Sequence, residues 1–170
     1  MSQTPSIAAG VAGSSDAQMK SFMSKVQLAL LTRILNTGGL AIKAGGSALA
    51  KTVNTVKFLI NGNLGSKAAA DCAALSGTVT NAKFNVFCFF VAADGTMSSA
   101  MGTEGATLAD VVFPTYDQSS KAMIGFVIIN PTGTGNFVGG TTPLDDGTVV
   151  PNAAYVDVPN TFNPGAFISL

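Results

Sequence analysis

The chain has 170 residues, nine Lys and Arg against nine Asp and Glu, a formal net charge of zero, and neither histidine nor tryptophan. Charged residues make up only 11%, against about a quarter in typical domains, while hydrophobic residues make up 47%. The cations are scattered singly, which excludes a basic nucleic-acid surface, and the missing histidine excludes Ser-His and Cys-His nucleophile pairs and the commonest zinc ligand.

Residues 1–14 are small and polar, and read as an arm that is ordered only where something holds it. Residues 15–36 read as one amphipathic helix, capped by Ser15 or Asp16 and ended by Gly38-Gly39. Met19, Phe22, Met23, Val26, Leu30 and Ile34 recur at helical spacing, and Leu28, Leu31 and Leu35 widen that face. A face this apolar must be covered, either by the chain's own sheet or by symmetry mates in a short bundle. The arm and helix, 1–36, are taken as an attachment and oligomerisation segment, and 37–170 as a β-domain.

From Gly39 onward the pattern is one of strands and turns. Leu40 to Ala44 alternates briefly, and Val53 to Ile60 is β-branched and aromatic, followed by Asn61-Gly62, a strong hairpin signal. Residues 64–70 read as the return strand, although 67–75 also suits a helical turn. Phe84 to Ala92 is the strongest strand: Phe84, Val86, Cys88 and Phe90 face one side, Phe87, Phe89 and Val91 the other, and both sides are expected to be buried. Asp94-Gly95 turns the chain into a return strand over 96–102. Met123 to Ile129 is a further apolar strand, 130–135 a loop, Asp145-Asp146-Gly147 a turn, and Ala154 to Val158 a last strand. Short strands with frequent Gly, Pro, Asn and Asp turns predict a mainly β fold, an antiparallel sandwich or barrel-like domain. The apolar tail, with Phe162 and Phe167, docks either on a neighbour or on its own domain.

Charge is uneven along the chain. Residues 1–83 hold all but one of the cations, and residues 84–170 hold all but two of the acids, Asp16 and Asp71 being the exceptions. The two halves either form opposite poles or interleave in one fold.

Residues able to do chemistry are few. Glu104 is the sole glutamate. Paired with Asp94 or Asp110 it could serve glycoside hydrolysis, which needs two carboxylates flanking a sugar bond, but solvated loop acids are far commoner. Asp145-Asp146-Gly147 lacks the spaced oxygen ligands of a calcium loop. Gly133, Gly135 and Gly139 miss the dinucleotide fingerprint by one place. Cys72 and Cys88 have no metal or redox spacing and are expected as reduced thiols, although one disulfide between them is open. No basic and apolar leader is read at the start, and no apolar run reaches membrane-spanning length. The chain is expected to be no enzyme, with no catalytic, cofactor-binding or metal residues and no cofactor.

Across about residues 37–160 the order of blocks is informative. FNVFCFFVAADGTMSSAMGTEGA is followed by VVFPTYDQSSKAMIGFVIINPTGTGNFVGGTTPLDD and then by AAYVDVP. This order resembles small structural proteins of tailed bacteriophages that decorate the capsid or form head fibres. Asp94-Gly95 stands at the D-x-G-type turn of that pattern, and Val138-Gly139 stands where proline-glycine is usual. The resemblance implies a homotrimer on the virion, made in the host cytoplasm without a signal peptide. Its partners would be copies of itself and the major capsid protein, with neither nucleic acid nor membrane involved. It would stabilise or decorate the outer capsid surface. The alternative is a head or tail fibre or host-binding module, contacting a surface glycan or receptor through loop aromatics such as Tyr116. Met19, Phe22, Met23, Val26, Leu30 and Ile34, with Phe162 and Phe167, are the expected oligomer or capsid contacts.

Overall fold

The strongest local signals become the strands around which the rest is arranged. In the computed structural model, which describes residues 16–159, helix α1 (Asp16–Leu31) precedes eleven strands. These are β1 (Arg33–Ile34), β2 (Leu40–Ile42), β3 (Ala50–Thr52), β4 (Val56–Ile60), β5 (Asn63–Lys67), β6 (Thr78–Val79), β7 (Asn85–Ala92), β8 (Met97–Met101), β9 (Lys121–Ile129), β10 (Phe137–Val138) and β11 (Ala154–Asp157). They form a three-stranded sheet β1-β4-β5, a four-stranded sheet β11-β9-β7-β8, and two short ribbons, β2-β3 and β10-β6. Every pairing is antiparallel. The fold is mainly β, as the frequent turns predict.

The two larger sheets share one core. Ile34, Val56, Phe58 and Ile60 from the first meet Phe87, Phe89, Val91, Ile124, Val127 and Ile129 from the second. Strand β7 is buried on both faces, as its unbroken apolar run predicts: Val86, Cys88 and Phe90 belong to a second, smaller cluster on its other side. Segment 103–120 crosses that side, bringing Tyr116 onto Phe90 at 4.6 Å and Phe113 edge-on to Phe126 at 4.9 Å.

Strand β9 serves both clusters because its alternation is interrupted. Phe89 pairs with Gly125 but Phe90 pairs with Met123, so Ile124 is an extra residue. A bulge reverses which face each later side chain takes. Ala122 and Ile124 before it, and Val127 and Ile129 after it, all enter the main core; Met123, Phe126 and Ile128 take the other side.

The turns follow their residues. Asn61 (φ 49) and Gly62 (φ 79) form the two-residue hairpin that joins β4 to β5. Gly95 (φ 80) takes the left-handed position of the β7–β8 turn and donates to Ala92 O at 2.9 Å.

Three expectations are corrected. The helix stops at Leu31, not at 36: Ile34 lies in β1, opposite Phe58, and is 1% exposed. Residues 33–36 therefore belong to the β-domain, and Asn36 is stitched into it by Nδ2 to Thr55 O at 2.8 Å and Lys57 N to Oδ1 at 2.7 Å. Residues 67–75 form no helical turn; β5 continues to Lys67, and Asp71 then bridges to Lys51. The strand expected from Val53 begins at Val56. The two charge halves interleave: β6 pairs with β10, Leu40 N donates to the Asp157 carboxylate at 3.2 Å, and Gly46 N to that of Asp145 at 2.9 Å.

Candidate interaction surface

Helix α1 is attached to the β-domain at its base. Gly62 N donates to Leu31 O at 2.9 Å, and Asn61 N donates to Thr32 Oγ1 at 3.1 Å. The hairpin tip thus satisfies the last carbonyl of the helix, one of the groups that every helix end leaves open. Among the described residues, no strand makes extended contact with the helix.

The predicted contact residues divide accordingly. Phe22 (46% exposed), Met23 (45%) and Leu30 (38%) are solvent-facing, and Met19 and Val26 are partly exposed. Ile34 is withdrawn from this set, because the core of the β-domain holds it. Phe162 and Phe167, like the arm 1–14, lie outside the described residues. Leu31 (41%) and Leu35 (37%) extend the apolar surface past the helix base. A helix normally hides its apolar stripe against a core, and this one leaves Phe22, Met23 and Leu30 among its exposed side chains.

Two further exposed apolar places were not singled out from the sequence. Leu64 is 73% exposed on β5, an edge strand. Leu108, Val112 and Phe113 project from the segment covering the second cluster. Both lie in polar, Gly-containing stretches, and apolar spacing carries no signal there.

The acids hold turns. Glu104 accepts from Thr80 N and Thr80 Oγ1, both at 3.0 Å, and the backbone bond is the main reason its carboxyl titrates below the usual range. Asp94 accepts from Thr96 N and Oγ1, both at 2.8 Å, and is likewise lowered, first by that backbone bond. Asp110 accepts from Thr107 Oγ1 at 2.8 Å, and Asp146 from Thr148 N at 2.8 Å. Asp94 and Asp110 are engaged by their own turns, and Glu104 ties its loop to Thr80. Asp145, from the turn weighed against calcium binding, accepts from a backbone amide. Among the described residues no three His, Cys, Asp or Glu side chains gather as metal ligands.

Cys72 and Cys88 are free and buried, the first in the main core and the second in the cluster across the sheet. Burial pushes both thiols up to about 12, with the charges of Asp71 and Asp157 adding to the effect at Cys72. Tyr116 is not a free loop aromatic: it is half-buried on Phe90, and burial raises its hydroxyl above the usual phenol value. A groove of about 470 Å³ runs between turns at Asn61, Asn63, Asp94, Ser119 and Ser120, where the Ser119 hydroxyl donates to Asp117 Oδ1 at 2.6 Å. No described helix is long and apolar enough to cross a membrane. Compared with protein-family models, curated proteins and solved structures, the chain matches none.

Proposed function

We propose that this chain is a non-enzymatic virion structural protein that binds the outer capsid surface as a homo-oligomer and stabilises or decorates it. The observation that carries the reading is the contrast between a β-domain packed on both faces of β7 and a helix on which Phe22, Met23 and Leu30 are 46%, 45% and 38% exposed. A subunit with so little charge stays in solution most readily when such a surface is shared. The block order over residues 37–160 supplies the virion setting. The acids, committed to turns, and the two thiols, held protonated by burial, leave assembly as the role these residues serve best.

Quantitative peptide mass spectrometry of purified virions tests this. Hundreds of copies, in simple ratio to the major capsid protein, are expected. A few dozen or fewer would move the chain to a fibre or tail, and absence from particles would overturn the virion reading.

A further inference from the structure

We propose that the cavity beside Arg33 is a binding site for a small carboxylate, either a free ion of acetate size or the tip of an acidic side chain. Arg33 is the one arginine of the chain. It is partly buried, and its Nε is enclosed and meets no hydrogen-bond acceptor. Among the described residues it enters no ion pair; the charges that do pair are Lys43 and Asp71. A guanidinium cannot be deprotonated in a protein, so burial does not silence its charge as it silences a thiol. A buried donor left without a partner costs more than an ordinary hydrogen bond gains. The position calls for an acceptor, and the charge calls for an anionic one.

The surroundings set the size and class of that anion. Arg33 lines a cavity of about 60 Å³ together with Thr32 and Tyr116, and the rest of the wall is apolar, Ala122 and Met123 included. Among the described residues, no acid belongs to that lining. A water takes about 30 Å³ in the liquid, so there is room for a group of about two or three heavy atoms. A carboxylate suits that space; a sugar or a nucleotide does not. Nε and one Nη of a guanidinium form a flat edge that matches the two oxygens of a carboxylate. The hydroxyls add donors. Thr32 Oγ1 already accepts from Asn61 N at 3.1 Å, which leaves its proton to give. Tyr116 keeps its proton, because burial raises its hydroxyl above the usual phenol value. The frame is set before anything binds: Arg33 pairs with Leu59 in β1, and the next residue, Ile34, is locked into the core.

A single arginine makes the test direct, because the full chain gives one arginine Nε–H signal in a nitrogen–proton NMR spectrum. Sodium acetate is titrated against sodium chloride at equal ionic strength and neutral pH. A saturable shift of that signal with acetate, and none with chloride, is expected. Equal shifts with both salts would mean charge screening alone and would overturn the proposal. No shift with either, the result if water fills the cavity, would overturn it too. Inorganic phosphate, larger and tetrahedral, is expected to bind more weakly than acetate, and tighter phosphate binding would overturn the carboxylate assignment. A capped aspartate separates the two sources: tighter binding than acetate assigns the site to an acidic side chain offered by a partner, weaker binding to a free small carboxylate. Acetate should also raise the thermal midpoint, since a ligand held by the folded chain alone stabilises it by mass action. Arg33→Gln should lose that rise while Cys72 and Cys88 stay protected from a thiol reagent. A rise equal to that of the wild type would count against the site, and if the variant does not fold, the titration of the wild type decides alone.

Discussion

Gly65 lies directly across the strand pair from Phe58, and a methyl group added at Gly65 would run into the Phe58 ring. Phe58 is 1% exposed and belongs to the shared core, so the ring has little room to give. Gly65→Ala is expected to destabilise the domain by about 1–3 kcal/mol through overpacking. Urea unfolding would show a lower midpoint at unchanged slope.

That glycine marks the limit of what was legible. Asn61-Gly62 and the run from Phe84 to Ala92 announce themselves, because a left-handed turn and a two-faced apolar strand have local chemical requirements. Ile34 does not: it stands four residues after Leu30, which suits a helix, and only pairing with Phe58, distant in sequence, makes it a strand residue. The bulge at Ile124 is hidden for the same reason, since an apolar run gives no sign of which member is unpaired. The apolar face of α1 was visible in its spacing as far as Leu30, and the exposure of Leu64 was not, because one leucine among polar residues carries no period.

Phe87 is fully buried and meets Phe137 edge-on at 5.7 Å, whereas Phe113 is 44% exposed although it touches Phe126. Phe87→Ala is expected to cost about 3–5 kcal/mol. Phe113→Ala should cost under about 1.5 kcal/mol, the worth of one aromatic pair. Chemical denaturation of the two variants side by side measures the difference.

Neither thiol is expected to react with a disulfide reagent at neutral pH in the folded chain, because burial holds both up to about 12. Two equivalents should react on adding denaturant. Fast labelling of Cys88 in the native state would contradict its place beneath the second cluster.

Stability should fall at both ends of the pH range. Asp94, Glu104 and Asp117 sit below their ordinary values, held first by the Thr96 amide, the Thr80 amide and the Ser119 hydroxyl respectively. A lowered carboxyl stabilises above its unfolded value, near pH 4, and the contribution disappears as pH falls through the folded value. The thiols act in the opposite sense: their contribution is complete below an unfolded value of about 8.5 and is lost as pH rises towards 12. Thermal unfolding between pH 3 and 11 should therefore give a plateau from about 5 to 8. Glu104→Gln should flatten part of the acidic limb.

A small cavity of about 60 Å³ is lined by Thr32, Arg33 and Ile34 and also by Val158. The chain thus enters the β-domain and leaves it at one doorway. The domain is suited to circular permutation: joining 159 to 33 through a short linker and opening the chain at an exposed turn would conserve the paired strands. Such a permutant would also relocate the helix, separating the topology of the domain from the placement of α1.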